Sequence, residues 1–218
     1  MSLRVTVKVC GITEERDAHE AVHLGADALG FDFRPESPRA IDAELARQIV
    51  ERLPAFVVTV GVFADAPLIH VLDTARRTGI GLLQFHGAES PAYCAGVAPF
   101  RWIKAFRAGP DFDPDVMGLY PSTTYLLDFR PDPASEELRP LEWRRVRAYG
   151  NYGRIVVGAP LTPSLAGMAI DDARPYGIDL LDEVEVVPGK KDLDRLELLI
   201  QAVRRAERRI AQESSDRY

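Results

Sequence analysis

Short apolar runs rich in Val, Ile and Phe alternate eight times with segments of helical period, and this alternation restricts the fold more than any other feature. The runs fall at residues 5–10, 28–33, 57–63, 82–86, 102–106, 125–129, 155–158 and 177–181. Helices are expected to begin near Thr13, Asp42, Ala66, Ser90, Asp111, Pro140, Thr162 and Asp192, several behind a Ser, Thr or Asp able to cap the first turn. Thr162 followed by Pro163 is such a cap with proline at the first helical position. Eight βα units with short connections predict an α/β fold, a closed (β/α)8 TIM barrel over residues 1–218 as a single domain, rather than an open doubly wound sheet. Glycines ahead of strands, as in Gly25 to Asp27 and Gly177 to Asp179, are expected to end helices with positive φ.

A hydrophobic share of 46% beside 28% charged residues fits an ordinary soluble protein, and no stretch approaches eighteen uncharged apolar residues. Net charge is −6, which argues against nucleic-acid or anionic-membrane partners. The basic residues of the last helix, Arg204, Arg205, Arg208 and Arg209, alternate with Glu207 and Glu213 and read as a solvated face. Two cysteines, Cys10 and Cys94, form neither a secreted-type disulfide framework nor a zinc-type spacing. A reducing compartment, the cytoplasm, is expected.

In a barrel of this kind chemistry gathers at the C-terminal ends of the strands. Cys10 ends the first run beside Lys8 and Gly11, and a thiol there is a candidate general base if neighbours lower its pKa toward neutrality. The plainer reading is a small buried hydrophobe, the role also expected of Cys94. Asp128 ends the sixth run after Leu126 and Leu127, where an unpaired carboxylate would be costly to bury. It is either a general acid with a raised pKa or the partner of Arg130 in a structural pair. Asp32 reads as a catalytic carboxylate or half of a buried ion pair, and His86 as a substrate ligand or a hydrogen-bonding partner of a neighbouring loop. Arg39 could fork onto a substrate carboxylate or lie on the surface. Residues 131–140, with Glu136 and Glu137, form the longest stretch without periodicity and follow the sixth strand. No glycine-rich phosphate cradle is visible: Gly158 is followed by Ala159 and by Pro160, which has no N–H to offer.

Several segments keep a familiar order. VKVCGIT from Val7, GADALGFDF from Gly25, Ser37 to Arg39, VGVF from Val60, QFHG from Gln84, IKA from Ile103, Leu126 to Asp128 and PGKKD from Pro188 together resemble the phosphoribosylanthranilate isomerases, (β/α)8 enzymes of tryptophan biosynthesis. The resemblance implies an Amadori rearrangement. Asp128 would protonate the furanose ring oxygen of an aminoaldose to give a Schiff base. Cys10 would then remove the C2 proton to give the enolamine and the ketose, while Arg39 would face the anthranilate carboxylate. It also implies a small-molecule substrate, no cofactor, and a monomer or homodimer.

The departures from that family are as ordered as the matches. A Gly-Gly-Thr/Ser-Gly stretch after strand six becomes Ser135, Glu136, Glu137 and Leu138, and the Gly-Gly after strand seven becomes Ala159 and Pro160. The Glu-Asn that follows becomes Ser164 and Leu165, and the Ser-Ser-Gly after strand eight becomes Leu181, Asp182 and Glu183. These loops resemble the family's phosphate grip. A phosphate dianion within about 4 to 6 Å of two or more carboxylates meets several kcal/mol of repulsion at intermediate dielectric, and lost glycine loops also withdraw backbone donors. The expectation is a diverged isomerase that keeps Cys10 and Asp128 as its acid–base pair, with Lys8, Asp32, Arg39, His86, Glu136, Glu137, Asp182 and Glu183 around a substrate without phosphate. An amine or another neutral or cationic group would take the phosphate's place. The alternatives are an ordinary family member whose carboxylates pair with Arg130 and Arg139 while other amides hold phosphate, and a non-catalytic ligand-binding barrel. Asp32, Glu136, Asp182 and Glu183 are hard oxygen ligands, but they lack metal-site spacing and no metal is expected.

Overall fold

The computed structural model describes residues 4–109, 111–130 and 143–215. The eight apolar runs form parallel strands that close a barrel in sequence order. They are β1 (Thr6–Val9), β2 (Ala28–Asp32), β3 (Val58–Phe63), β4 (Leu82–Phe85), β5 (Arg101–Arg107), β6 (Thr124–Asp128), β7 (Arg154–Gly158) and β8 (Gly177–Leu180). β1 pairs with β8 and completes the ring. Around it lie α1 (Glu15–Leu24), α2 (Ala43–Val50), α3 (Leu68–Thr78), α4 (Pro91–Ala95), α5 (Trp143–Ala148), α6 (Pro163–Ala173) and α7 (Leu193–Ser215). No described helix is long and apolar enough to cross a membrane.

Local chemistry sets most boundaries. Asp42, Ser90 and Thr162 accept hydrogen bonds from the first-turn amides of α2, α4 and α6, and Pro163 opens α6 as expected. The helix expected near Asp111 is instead a 3-10 segment, Pro114–Leu119, capped by Asp113. Gly118 and the short run after Pro114 leave too few good formers to propagate an α-helix. The helix expected from Pro140 begins outside the described residues and is seen from Trp143. Gly25 ends α1 at φ 108°, as expected. Gly177 does not act that way. It lies within β8, where an added Cβ would stand 2.8 Å from the Thr6 carbonyl, and Arg174 takes the left-handed position after α6 instead.

Alternation along the strands decides what faces where. Val7, Val9, Leu29, Phe31, Leu83, Phe85, Leu127, Val157, Ile178 and Leu180 join the main apolar core between barrel and helices. Their neighbours therefore point into the barrel. Ala105, Leu126 and Val156 form a separate small apolar cluster there, and the next inward position on β6 and β7 is Asp128 and Gly158. The inward strand-end set thus includes Cys10, Asp32, His86, Asp128 and Asp179.

The long last helix is tied to the first strand by charge. Glu207, 8% exposed, accepts the Val5 amide and pairs with Arg204, which also donates to the carbonyls of Val5 and Gly25 and to Asp27. Arg204 and Glu207 therefore do not belong to the solvated face expected of them, because the helix turns these positions toward the otherwise unpaired start of β1. Glu207→Ala orphans the Val5 amide and takes one of several partners from Arg204, and should lower stability by about 1–3 kcal/mol in urea unfolding with an unchanged m-value.

Candidate active site

Four neighbouring strands build one charged layer. Lys8 on β1 stands opposite Asp179 on β8, Asp179 opposite Gly158 on β7, and Gly158 opposite Asp128 on β6. Lys8 Nζ donates to Asp179 Oδ1 at 2.6 Å. Gly158 leaves an empty place between the two aspartates, and the Arg130 guanidinium fills it. Nη1 lies 3.3 Å from Asp128 Oδ1 and 3.5 Å from Asp179 Oδ2, while Nη2 donates to the Asp179 carbonyl. A Cβ on Gly158 would come within 2.6 Å of Nη1, so this packing requires glycine. The Arg130 amide also donates to Asp128 Oδ1 at 3.0 Å, a tight local turn that holds the carboxylate at the end of its strand.

Asp128 meets a second partner across the barrel. His86 Nε2 lies 3.3 Å from Asp128 Oδ2, and Gln84 Nε2 lies 3.4 Å from His86 Nδ1. Burial alone would favour the neutral acid, but the His86 hydrogen bond and the Arg130 charge outweigh it and hold Asp128 at about 2. The expected raised pKa is therefore not found, and the pairing with Arg130 is.

Cys10 is 6% exposed and lies next to Lys8 and Gly30; a Cβ on Gly30 would stand 2.6 Å from Sγ and 3.1 Å from Lys8 Nζ. Burial pushes the thiol pKa up, Lys8 lowers it, and the negative charges of Asp179 and Asp32 raise it again. The net direction is upward, not toward neutrality, because Lys8 is already neutralised by Asp179.

The other expected residues divide. Asp32 accepts from Arg34 Nε at 2.9 Å and Nη2 at 2.7 Å, which is the buried ion pair rather than a free carboxylate. Arg39, with a side chain 13% exposed, donates through Nε to Glu185 at 2.8 Å and through Nη2 to Asp182. Asp182 and Glu183 stand on a 3-10 turn (Asp182–Val184) that leads into a hairpin of β9 (Glu185–Val187) and β10 (Lys190–Lys191). They do not form an open cation site: Asp182 is held by Arg39, and Glu183 lies 3.8 Å from Arg130 Nη2. The Glu183 side chain is 8% exposed, and burial raises its pKa to about 7 against the opposing pull of Arg130. Glu136, Glu137 and Arg139 lie outside the described residues. Cys94 is fully buried, as expected of core.

Sequence reasoning missed Asp179, Glu185 and Lys191. Lys191 Nζ donates to Glu185 Oε1 at 2.6 Å and to the Cys10 carbonyl, so it links the hairpin to the end of β1. A charged residue inside the apolar run of β8 was the available signal for Asp179, since such a group needs a buried partner. Among the described residues, no group of three or more His, Cys, Asp or Glu could hold a metal ion.

Comparison with known proteins decides the ancestry of this arrangement. The family described as N-(5'phosphoribosyl)anthranilate (PRA) isomerase matches residues 7–202. The chain belongs to that family. N-(5'-phosphoribosyl)anthranilate isomerase from Geobacter sp. (strain M21) is 41% identical over 191 residues, which covers 87% of this chain and 93% of that protein. A phosphoribosyl anthranilate isomerase solved with reduced 1-(o-carboxyphenylamino)-1-deoxyribulose 5-phosphate is 34% identical, with TM-score 0.84 over 92% of this chain and 99% of the other. Monomers generated from the dimeric isomerase of Thermotoga maritima match with TM-score 0.82 and 33% identity over 92% and 99% of the two chains. The chain is thus an aldose–ketose isomerase of the phosphoribosylanthranilate isomerase type.

Glu183 gives this isomerase a pH signature. Its folded pKa of about 7 lies above the ordinary 4.5, so the native state holds a proton that the unfolded chain has lost between those values. Stability should therefore be full below about pH 4.5 as far as Glu183 is concerned, and fall by roughly 3 kcal/mol as pH rises to 7. Urea midpoints measured from pH 5 to 8 should show that decline, and Glu183→Gln should flatten it.

Proposed function

We propose that this isomerase carries out an Amadori-type rearrangement on an N-substituted aminoaldose that bears no phosphate. The single observation that carries this reading is the buried guanidinium of Arg130 among Asp128, Asp179 and Glu183, at the end of the barrel where β6, β7 and β8 terminate. With Lys8, the five groups sum to zero when Glu183 is protonated and to −1 when it is ionised, and neither state attracts a dianion. Pro160 removes a backbone donor from the adjoining loop.

In this reading Asp128 delivers a proton to the ring oxygen, and Cys10 takes the C2 proton of the resulting Schiff base. His86 and Arg130 orient Asp128, and Lys8 attracts charge onto the Cys10 sulfur. Arg39 faces the amine substituent, and Asp32, tied to Arg34, shapes the wall beside Cys10. The unliganded protonation states, thiol and carboxylate, are the reverse of those the first step uses. Both arrangements carry the same total charge, so the competent one is reached by moving a proton within the site rather than by taking one up. The whole chain acts as one domain, as a monomer or as a homodimer like the dimeric relative from Thermotoga maritima. Its two free cysteines suit the cytoplasm.

The test is a fluorescence assay of the purified protein on N-ribosylanthranilate and on its 5'-phosphate. The expected outcome is turnover of the unphosphorylated compound with the higher kcat/KM, and a loss of about 10²–10⁴ in Cys10→Ser. Faster turnover of the phosphate would make this an ordinary member of the family. Turnover of neither compound would sink the assignment.

A further inference from the structure

The partner of Asp128 across the barrel rests on a group whose own bonding is incomplete. Gln84, 1% exposed, lies two positions before His86 at the end of β4, so both side chains face the barrel interior. Its neighbours in register are Val62 on β3 and Ile103 on β5, whose side chains carry no polar atom. Gln84 Nε2 lies 3.4 Å from His86 Nδ1, and Oε1 is buried with no hydrogen-bond partner among the described residues. Buried side-chain oxygens are rarely left in this condition. Turning the amide over would bring Oε1 to His86 and leave the NH2 without a partner instead, so neither orientation satisfies both ends. Nothing at the far end of the amide locks it, and the choice falls to His86 Nδ1.

His86 stands on an anchored backbone. Its amide donates to the Phe63 carbonyl at 2.8 Å, and Lys104 Nζ, paired with Glu89, donates to the carbonyls of Phe85 and Gly87 on either side of it. A change at Asp128 is therefore met by the imidazole proton rather than by movement of the strand. Gln84 offers only N–H donors to Nδ1 in the structure, so Nδ1 accepts and the imidazole is the neutral form that donates from Nε2 to the Asp128 carboxylate. When Asp128 holds a proton the order reverses: Oδ2–H donates to Nε2, Nδ1 carries the imidazole proton, and Gln84 must present Oε1. The imidazole carries one proton in both arrangements, and Asp128 gains the one that Cys10 gives up; its delivery to the ring oxygen restores the first arrangement. We infer that Gln84 is a positioning residue for the acid, which by turning its amide over changes His86 from a donor to an acceptor toward Asp128 and lets the carboxyl keep the proton it is to deliver. This rests on the acid role of Asp128 proposed above and is independent of whether the substrate carries phosphate.

The test reads the imidazole directly. The chain has four histidines, and long-range 1H–15N spectra of the labelled full-length protein, assigned with His86→Gln, show which ring nitrogen of His86 is protonated. The free protein is expected to show Nε2–H. In Asp128→Asn the amide oxygen is claimed by the Arg130 N–H and Nη1, so its NH2 faces His86 as a protonated acid would, and His86 is expected to show Nδ1–H. Adding Gln84→Met to Asp128→Asn should abolish that preference, because nothing then accepts from Nδ1. In the active protein, Gln84→Met should lower kcat on the better of the two ribosylanthranilates by about 10- to 100-fold, the range of one hydrogen bond to a charged group, with KM changed less than about 3-fold. Gln84→Glu, which keeps an acceptor, should hold Nδ1 protonated in the free protein. Persistence of Nε2–H in Asp128→Asn, an unchanged tautomer on adding Gln84→Met, or full kcat in Gln84→Met would overturn the inference. A loss confined to KM or to stability would also overturn it and leave Gln84 a packing residue. If the tautomer responds as expected but the wild-type protein turns over neither compound, the acid role of Asp128 falls and the coupling of Gln84 to His86 stands.

Discussion

The Arg130 guanidinium lying over Gly158 is the contact on which the rest of the site depends. Two aspartates from β6 and β8 face the same gap in β7, and without a cation between them they would be buried like charges. Removing one partner from such an arrangement leaves the others uncompensated, at a typical cost of about 3–5 kcal/mol. The arginine therefore fixes the position of Asp128, leaves Asp179 able to hold Lys8, and through Lys8 sets the field at Cys10. Glu183 is the surplus negative charge in this count, and its pKa near 7 reflects that surplus together with its burial.

The same electrostatics explains why neither catalytic candidate rests in its working form. Lys8 is the natural group to lower the thiol pKa, yet Asp179 has already claimed it, and burial then dominates. Asp128 is held ionised by His86 and Arg130 despite its burial. In the proposed reaction, a site built in this way would stay inert until substrate brought its ring oxygen and C2–H between the two groups. Ligand then changes the relative cost of the two proton arrangements, which differ only in where one proton lies.

Much of this was legible in the sequence, for a definite reason. Period-two alternation fixes which residues of each strand face inward, so Cys10, Asp32, His86 and Asp128 could all be placed at the mouth from strand ends alone. Asp128 with Arg130 two positions on was also open to local reading. The role of Gly158 was not, because it depends on β7 standing between β6 and β8 in register, a fact of pairing rather than of local pattern. Arg204 and Glu207 misled for a related reason: on a helix with mixed charges, the face that meets the barrel is chosen by the unpaired backbone of β1 more than 190 positions away. The 3-10 segment at Pro114–Leu119 shows the opposite failure, a correct location with too little length to become an α-helix.

The two ends of the site hold their carboxylates with different firmness. At the Arg39 end, Asp182 competes with any substrate carboxylate, but its side chain is 59% exposed and loses little by swinging into water. Glu185, 3% exposed and shared with Lys191, stays and keeps Arg39 aimed. A carboxylate can thus be accepted there by exchange. At the Arg130 end no such exchange is available, since Asp128, Asp179 and Glu183 are each 8% exposed or less and have no water to retreat into. Exposure, more than the number of carboxylates, therefore separates an adjustable contact at Arg39 from a fixed one at Arg130.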